Sequence, residues 1–420
     1  MAGAGVLAIS PSARAAEEAV LDSGDTAWML MSCALVLLMT LPGLALFYGG
    51  LVRSKNVLSL LMQCLTSAAV MGLIWVLVGY SIAFGTDQHG LWGWDAAKVG
   101  LRGIAPEDLS GTIPELLFAM FQGMFLIITP ALMIGAFAER MRFGPYVLFS
   151  SLWAILVYLP LAHMVWGGGW IGQEGALDFA GGLVVHMSSG YSALVAALFL
   201  GPRKDYGKTP LPPHNMPLVV IGTALLWVGW FGFNAGSALA ADTTAALALV
   251  TTTTAASAAT LGWILIEWIH HGKPTVLGAA TGAVAGLVAI TPGCAFVTPL
   301  SAIAIGFLCA PICYFFVALV KIRMGYDDSL DVFGVHGIGG TWGALATALF
   351  AAPFALDGVT KGEQFFIQVK GVVFTALYAP FVTLLILLLM RTLLGNLRVT
   401  AEGEHAGLDQ SEHSENAYVL

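Results

Sequence analysis

Charge is what this sequence has least of. Asp, Glu, Lys and Arg make up 10% of its 420 residues, against about 25% in a soluble globular domain. With 58% hydrophobic residues and a mean hydropathy of +0.84, too little polar surface remains to cover a water-facing body. That excludes a soluble enzyme, a nucleic-acid-binding protein and a disordered chain. Paired cysteines are missing too. Cys33, Cys64, Cys294, Cys309 and Cys313 all lie in apolar runs and none forms a Cys-x-x-Cys pair. They read as buried small hydrophobes, with neither a disulfide frame nor a zinc site. His-x3-His spacing is likewise absent, so an intramembrane metalloenzyme has no third ligand to build on. The net charge of −8 says little about the body of the chain, because Glu402, Glu404, Asp409, Glu412 and Glu415 crowd the last twenty residues.

What is present in excess is long apolar segments. Spanning a bilayer takes about 20 apolar residues, and eleven segments qualify. They run over 27–47, 57–84, 113–138, 145–166, 181–200, 217–239, 243–269, 275–290, 299–320, 333–352 and 364–394. The fold class is therefore all-α integral membrane protein with eleven transmembrane helices. An odd count puts the termini on opposite sides. Connections on one side hold Arg53, Lys55, Arg140, Arg142, Arg203, Lys204, Lys208, Lys273, Lys321, Arg323, Arg391 and Arg398; the other side holds Arg14, Lys98, Arg102 and Lys361. The positive-inside rule then places the N-terminus outside and the C-terminus in the cytoplasm. An exported N-terminus needs a signal. Residues 4–9 are weakly apolar and Ala13-Arg14-Ala15 offers a small-x-small cleavage site, so 1–16 is read as a signal peptide or its remnant. Residues 17–398 form the membrane domain and 399–420 the cytoplasmic tail.

Ionisable residues at membrane depth are functional candidates by default. Glu139 sits beside Arg140 and Arg142, which suggests an interfacial ion pair among neighbours. Glu267 and Asp331 lie near cytoplasmic ends, where snorkelling or capping suffices. Asp178 opens the fifth span, in DFAGGLVVH at 178–186, where its carboxylate can cap the helix and hold freed N–H groups. His186 follows about two turns deeper, and His336 sits in FGVHGIGG at 333–340. Both read Val-His-x3-Gly before an alanine-rich run, in the fifth and tenth spans. A five-plus-five repeat with an odd unit must be inverted, and inverted repeats place the working site near the midplane. Two histidines at matching positions point to a pair lining a path. Aromatics cluster at the outer side: Phe121 and Phe125 before a kink expected at Thr129-Pro130, Trp166 in AHMVWGGG, and Trp230 and Phe233 before Ser237. From composition alone these read as an interfacial belt. Of fifty glycines, most fall within spans and read as packing devices, Gly278-x3-Gly282-x3-Gly286 among them.

The runs LPGLALFYGG at 41–50, GAFAERMRF at 135–143, AHMVWGGG at 162–169, DFAGGLVVH at 178–186, WFGFNAGSA at 230–238 and DVFGVHGIGG at 331–340 occur in fixed order. In them the chain resembles the ammonium transporter (Amt/Mep/Rh) family, in its bacterial Amt branch, from about Asp25 to the C-terminus. The resemblance implies a homotrimer with one narrow pore per subunit in the cell inner membrane. It implies an outer ammonium site of Phe121, Phe125, Trp166 and Ser237 supported by Asp178, and a stacked gate of Phe125 and Phe233. The pore-lining residues it implies are His186 and His336, with Trp230 near the gate. The substrate is ammonium or ammonia, with methylammonium a further candidate, and no cofactor, metal or catalytic residue is implied. On composition the tail is a passive solvated segment. The resemblance reverses that, because GLD at 407–409 and ENAY at 415–418 match a tail that packs on the cytoplasmic face and helps bind a PII-type signalling protein. An ammonium sensor working with such a protein is the alternative the resemblance leaves open.

Overall fold

Hydrocarbon offers no partners to backbone N–H and C=O groups, so a spanning chain must satisfy them within helices or a closed barrel. The computed structural model describes residues 20–418 and is a bundle of helices; the leader expected at 1–16 lies outside the described residues. In chain order come α1 (Ser23–Leu51), α2 (Ser54–Phe84), α3 (Glu115–Phe137), α4 (Phe143–Gln173), α5 (Gly182–Leu200), α6 (Met216–Ala238) and α7 (Thr243–His271). Then follow α8 (Val276–Ile290), α9 (Pro299–Met324), α10 (Phe333–Gly337 running into Ile338–Phe350) and α11 (Lys361–Leu394). Among the described residues, nine of these runs are long and apolar enough to cross a membrane, α8 and α10 being the exceptions.

Helix α3 forms the centre. It is apolar all round, and a helix of that kind belongs inside a bundle; nearly every residue from Leu117 to Phe137 is buried. It carries Pro130 in its interior, while the Thr129 hydroxyl donates to the Phe125 carbonyl at 2.6 Å. The helices around it turn leucine and phenylalanine outward, with Leu73, Leu77, Phe366, Leu377 and Phe381 all exposed. Close approach is reserved for glycine. A Cβ on Gly190 of α5 would lie 2.1 Å from the Gly337 amide nitrogen of α10, so these two helices touch backbone to backbone.

The ion pairs at the end of the bundle that carries Arg53, Glu139 and Arg203 differ from the sequence expectation. Glu139 does not pair with its neighbours Arg140 and Arg142. Its carboxylate takes Arg53 at 2.8 Å and Arg203 at 3.3 Å, from two other connections. Arg203 also grips Asp327 through three hydrogen bonds of 2.8 Å. Burial pushes the Asp327 carboxyl up, but the Arg203 bonds and charge outweigh it and hold the group below the ordinary carboxylate range. Glu267 does act as a cap, accepting from the Thr275 amide at 2.7 Å, and Asp331 pairs with Lys321. At the opposite end Lys370 meets Glu174 at 2.5 Å.

The tail is ordered, against the reading from composition. It folds into α12 (Ala401–Ala406) and α13 (Leu408–His413) and lies against the same end of the bundle, beside Asn56, Ser59, Phe143 and Lys204. Its acids explain why. Asp409 accepts from the Ser59 amide at 2.8 Å, Glu412 from the Phe143 amide at 2.8 Å, and Glu404 from the Lys204 amide at 2.7 Å. Phe143 opens α4, and Ser59 is the third residue of the α-helical stretch Val57–Ile74 within α2, places where orphan N–H groups and the helix dipole favour carboxylates. Leu408 is buried, and its amide donates to Asn56 Oδ1 at 2.8 Å.

Candidate functional site

Two helix starts place the histidines. Asp178 Oδ1 accepts from the Gly181 and Gly182 amides at 3.0 and 2.5 Å, and Oδ2 from Leu183 and Val184 at 2.9 and 3.3 Å. Gly181 has φ +114°, a conformation that favours glycine, which lets the chain turn sharply enough for one carboxylate to reach four amides. Eight residues beyond Asp178, His186 lies in a wide π-turn segment, Gly182–Met187. The other half repeats this. Asp328 accepts from the Val332 and Phe333 amides at 3.1 and 2.7 Å. Eight residues on, His336 lies in the π-turn segment Phe333–Gly337. Such bulges recur at functional positions and re-aim side chains. Sequence reasoning missed Asp328. The equal Asp-to-His offset in the two halves was the signal that would have found it.

His186 and His336 meet. Their Nδ1 atoms are 3.2 Å apart and their rings lie nearly parallel, with centroids 5.3 Å apart. A neutral imidazole offers one donor and one acceptor nitrogen, so an Nδ1–Nδ1 bond requires exactly opposite tautomers at those atoms, with one proton between them. His186 Nε2 is buried without a partner. The other face of His186 stacks on Trp230 at 5.5 Å, and the Trp230 indole donates to Thr291 Oγ1 at 2.9 Å. Around the pair is a gap of about 10 Å³ lined by Trp230, Phe233, Tyr48 and Leu132, room for about one water.

Outward from His186 comes Phe233, at a centroid distance of 6.0 Å, and Phe125 covers Phe233 at 4.3 Å. Both phenyl rings are fully buried. Phe125 is met edge-on by Phe121 at 5.1 Å and by Trp166 at 5.9 Å. Trp166 is part-exposed, with its indole N–H donated to the Asp178 carbonyl at 2.8 Å. Ser237, also part-exposed, donates to the Phe233 carbonyl at 2.8 Å, which leaves its oxygen free to accept. Eight of the nine residues singled out from the sequence thus fall into one column. Asp178 stands beside it, its carboxylate consumed by backbone amides. Inward from His336 opens a cavity of about 450 Å³ lined by Tyr48, Trp263, Glu267, Tyr314 and Asp331 among others. Among the described residues no cluster of three or more His, Cys, Asp or Glu could hold a metal.

The sequence pattern of the Ammonium Transporter Family matches residues 27–418. An "Ammonium transporter" of Bacillus subtilis is 51% identical over 405 residues, covering 95% of this chain and 99% of that protein. One from Aquifex aeolicus is 50% identical over 419 residues, covering 99% of this chain and 98% of its own length. Among solved structures, Candida albicans Mep2 superposes with a TM-score of 0.85 at 36% identity, over 95% of this chain and 94% of that one. A protein titled "Sensor Amt Protein" superposes with a TM-score of 0.86 at 31% identity, over 93% and 98% of the two chains.

Proposed function

The chain belongs to the ammonium transporter family, and on that premise we propose that it carries ammonium nitrogen across the cytoplasmic membrane, as ammonia, past a twin-histidine pair. The observation that carries the mechanism is the Nδ1–Nδ1 contact of His186 and His336 directly beneath the stacked Phe125 and Phe233. A bare cation costs on the order of 20 kcal/mol to bring into a hydrocarbon-like medium. The aromatic faces of Phe121, Phe125 and Trp166 attract a desolvated cation by about 2 kcal/mol each, and Ser237 accepts one N–H. That recruits ammonium at the outer end but does not offset full dehydration. Neutral ammonia crosses the narrow apolar bore far more cheaply, so the proton leaves the nitrogen near the phenyl gate. The paired imidazoles then hydrogen-bond ammonia on its way and pass a proton between their rings. Hydrated potassium and sodium find no filter of charges and an apolar passage that dewets.

In this reading α8 and α10 cross with the other nine helices, giving eleven spans in an inverted five-plus-five repeat plus α11, with the N-terminus outside. The test is an ammonium pulse on reconstituted protein, read as current and as lumenal pH. His186→Ala and His336→Ala should each lower the flux by roughly tenfold or more, since a lost buried hydrogen bond costs about 1–3 kcal/mol. A wild-type protein that gives neither current nor pH change would sink the transport reading.

The tail completes the proposal. Its docking on the cytoplasmic face of a homotrimer offers three equivalent seats to a trimeric PII-type protein, and three joint contacts raise avidity by orders of magnitude. Purified PII protein should co-elute with the detergent-solubilised transporter as a three-to-three complex that depends on ADP, ATP or 2-oxoglutarate. Deleting residues 407–420 should weaken the complex and leave conduction intact. Nucleotide-independent failure to bind would leave the tail a purely structural clasp.

A further inference from the structure

Helix α7 ends in two consecutive histidines, and both reach the same atom. His270 Nδ1 lies 2.6 Å from the Tyr314 hydroxyl oxygen on α9, and His271 Nε2 lies 2.9 Å from it. A helix sends consecutive side chains about 100° apart, and exposed ones ordinarily turn to water. Here both histidines are exposed, yet their rings fold together over the phenol with centroids 4.2 Å apart. They converge because one ring presents its near nitrogen and the other its far one. The phenol is held firmly. Tyr314 is 7% exposed, its ring meets Trp263 edge-on at 5.5 Å, and the Trp263 indole donates to Glu267 Oε1 at 3.3 Å.

Two imidazole nitrogens and a phenol oxygen around one point form a donor set. Imidazole suits zinc and the other late divalent ions of the first transition row, and a phenol that gives up its proton is an anionic third ligand. The distances fit. Ligands about 2.0–2.1 Å from a zinc ion stand about 2.9 Å apart at right angles and about 3.4 Å apart in a tetrahedron. The two N···O separations lie at or just under the lower figure, and exposed rings can swing outward by the remaining fraction of an ångström. The surroundings favour a cation. The 29-residue α7 ends here, at the negative pole of its dipole, and the Glu267 carboxylate lines the same cavity as His271 and Tyr314. Lys321, on that wall too, is paired with Asp331. Because the third donor is a phenol, the absence of clusters of three His, Cys, Asp or Glu among the described residues does not bear on this set.

We propose that His270, His271 and Tyr314 bind one zinc ion at the wall of the inner cavity, with water completing its coordination, and that zinc there slows ammonium transport. Binding releases the Tyr314 hydroxyl proton to water as the oxygen turns to the metal. The effect on transport rests on reading the column from Trp166 to His336 as the ammonium path. On that reading ammonia regains a proton in the cavity and leaves it as ammonium. A doubly charged ion on the cavity wall repels that cation within a Debye length of about 8–10 Å.

The test starts from full-length protein purified through a tag without histidines, stripped with a chelator and titrated with zinc chloride in a calorimeter. One zinc per chain is expected. A double variant, His270→Ala with His271→Ala, changes two exposed positions and should lose that binding. Tyr314→Phe, which keeps the packed ring, should weaken it by roughly tenfold or more. Cobalt(II), used as a coloured probe, should give the wild type a visible absorption band that the double variant lacks. No zinc uptake by the wild type overturns the site, and so does uptake that the double variant retains through other residues. In proteoliposomes, zinc sufficient to fill the site should lower wild-type ammonium flux several-fold and leave the double variant unchanged. An equal response of the two proteins overturns the inhibition. Proteoliposomes that bind zinc but carry no ammonium with or without it would instead sink the transport reading, and the metal site would stand.

Discussion

Transport is expected to fall below detection in Asp178→Ala and to survive in part in Asp178→Asn and Asp178→Glu. The carboxylate accepts from four consecutive amides at the start of α5, and it is 5% exposed. Alanine leaves those N–H groups buried and unmatched, each at a cost of about 1–3 kcal/mol. The turn at Gly181 then has nothing to hold it, and both the His186 segment and the Trp166 indole, which leans on the Asp178 carbonyl, lose their seats. Asparagine keeps one oxygen and hence about half of the arrangement. Ammonium uptake by proteoliposomes, normalised to folded protein, decides the matter. Full activity in the alanine variant would show that the carboxylate is dispensable.

Gly190→Ala should be as severe by a different route. The new methyl would sit 2.1 Å from the Gly337 nitrogen and 2.4 Å from its Cα, with the His336 carbonyl carbon at 2.9 Å. All three are backbone atoms, so no side chain can swing away. The two helices must move apart by an ångström or more, and they are the helices that carry the paired histidines. Overpacking of this kind costs about 1–3 kcal/mol even where side chains can adjust, and here the 3.2 Å contact between the imidazoles goes with it. Little folded protein and no ammonium flux are expected. Gly144→Ala, at a position with nothing within 4 Å, is the matched control and should behave as wild type. A Gly190→Ala protein with normal yield and normal flux would refute the close packing.

These two positions also show what was legible in the sequence. Asp178 could be read as a cap because an acid at the start of an apolar run has few other uses, and the long spans could be read because bilayer thickness sets their length. Gly190 could be seen as a small residue in a helix, but not as the point where α5 meets α10, since its partner is distant in the chain. The same holds for Glu139. Local sequence offered Arg140 and Arg142, whereas the fold brings Arg53 and Arg203. Asp328 was hidden behind Asp331, which is nearer to His336 yet pairs with Lys321. The wide turns at the two histidines leave no mark in composition, because each merely loosens the winding of a helix. The aromatic column was recognisable through its motifs and not through periodicity, which reads those residues as an interfacial belt.

The carboxylates of the tail carry a consequence for the order of events during synthesis. Ser59 waits for Asp409 and Asn56 waits for Leu408, across 350 and 352 residues of chain. At a ribosomal speed of about 5–20 residues per second, that gap is roughly 20–70 s. For that interval the turn at Asn56 and Ser59 stands without these partners. Leu408 and Asp409 emerge long after the turn they close, so the latch can be set only once every helix between them has been made.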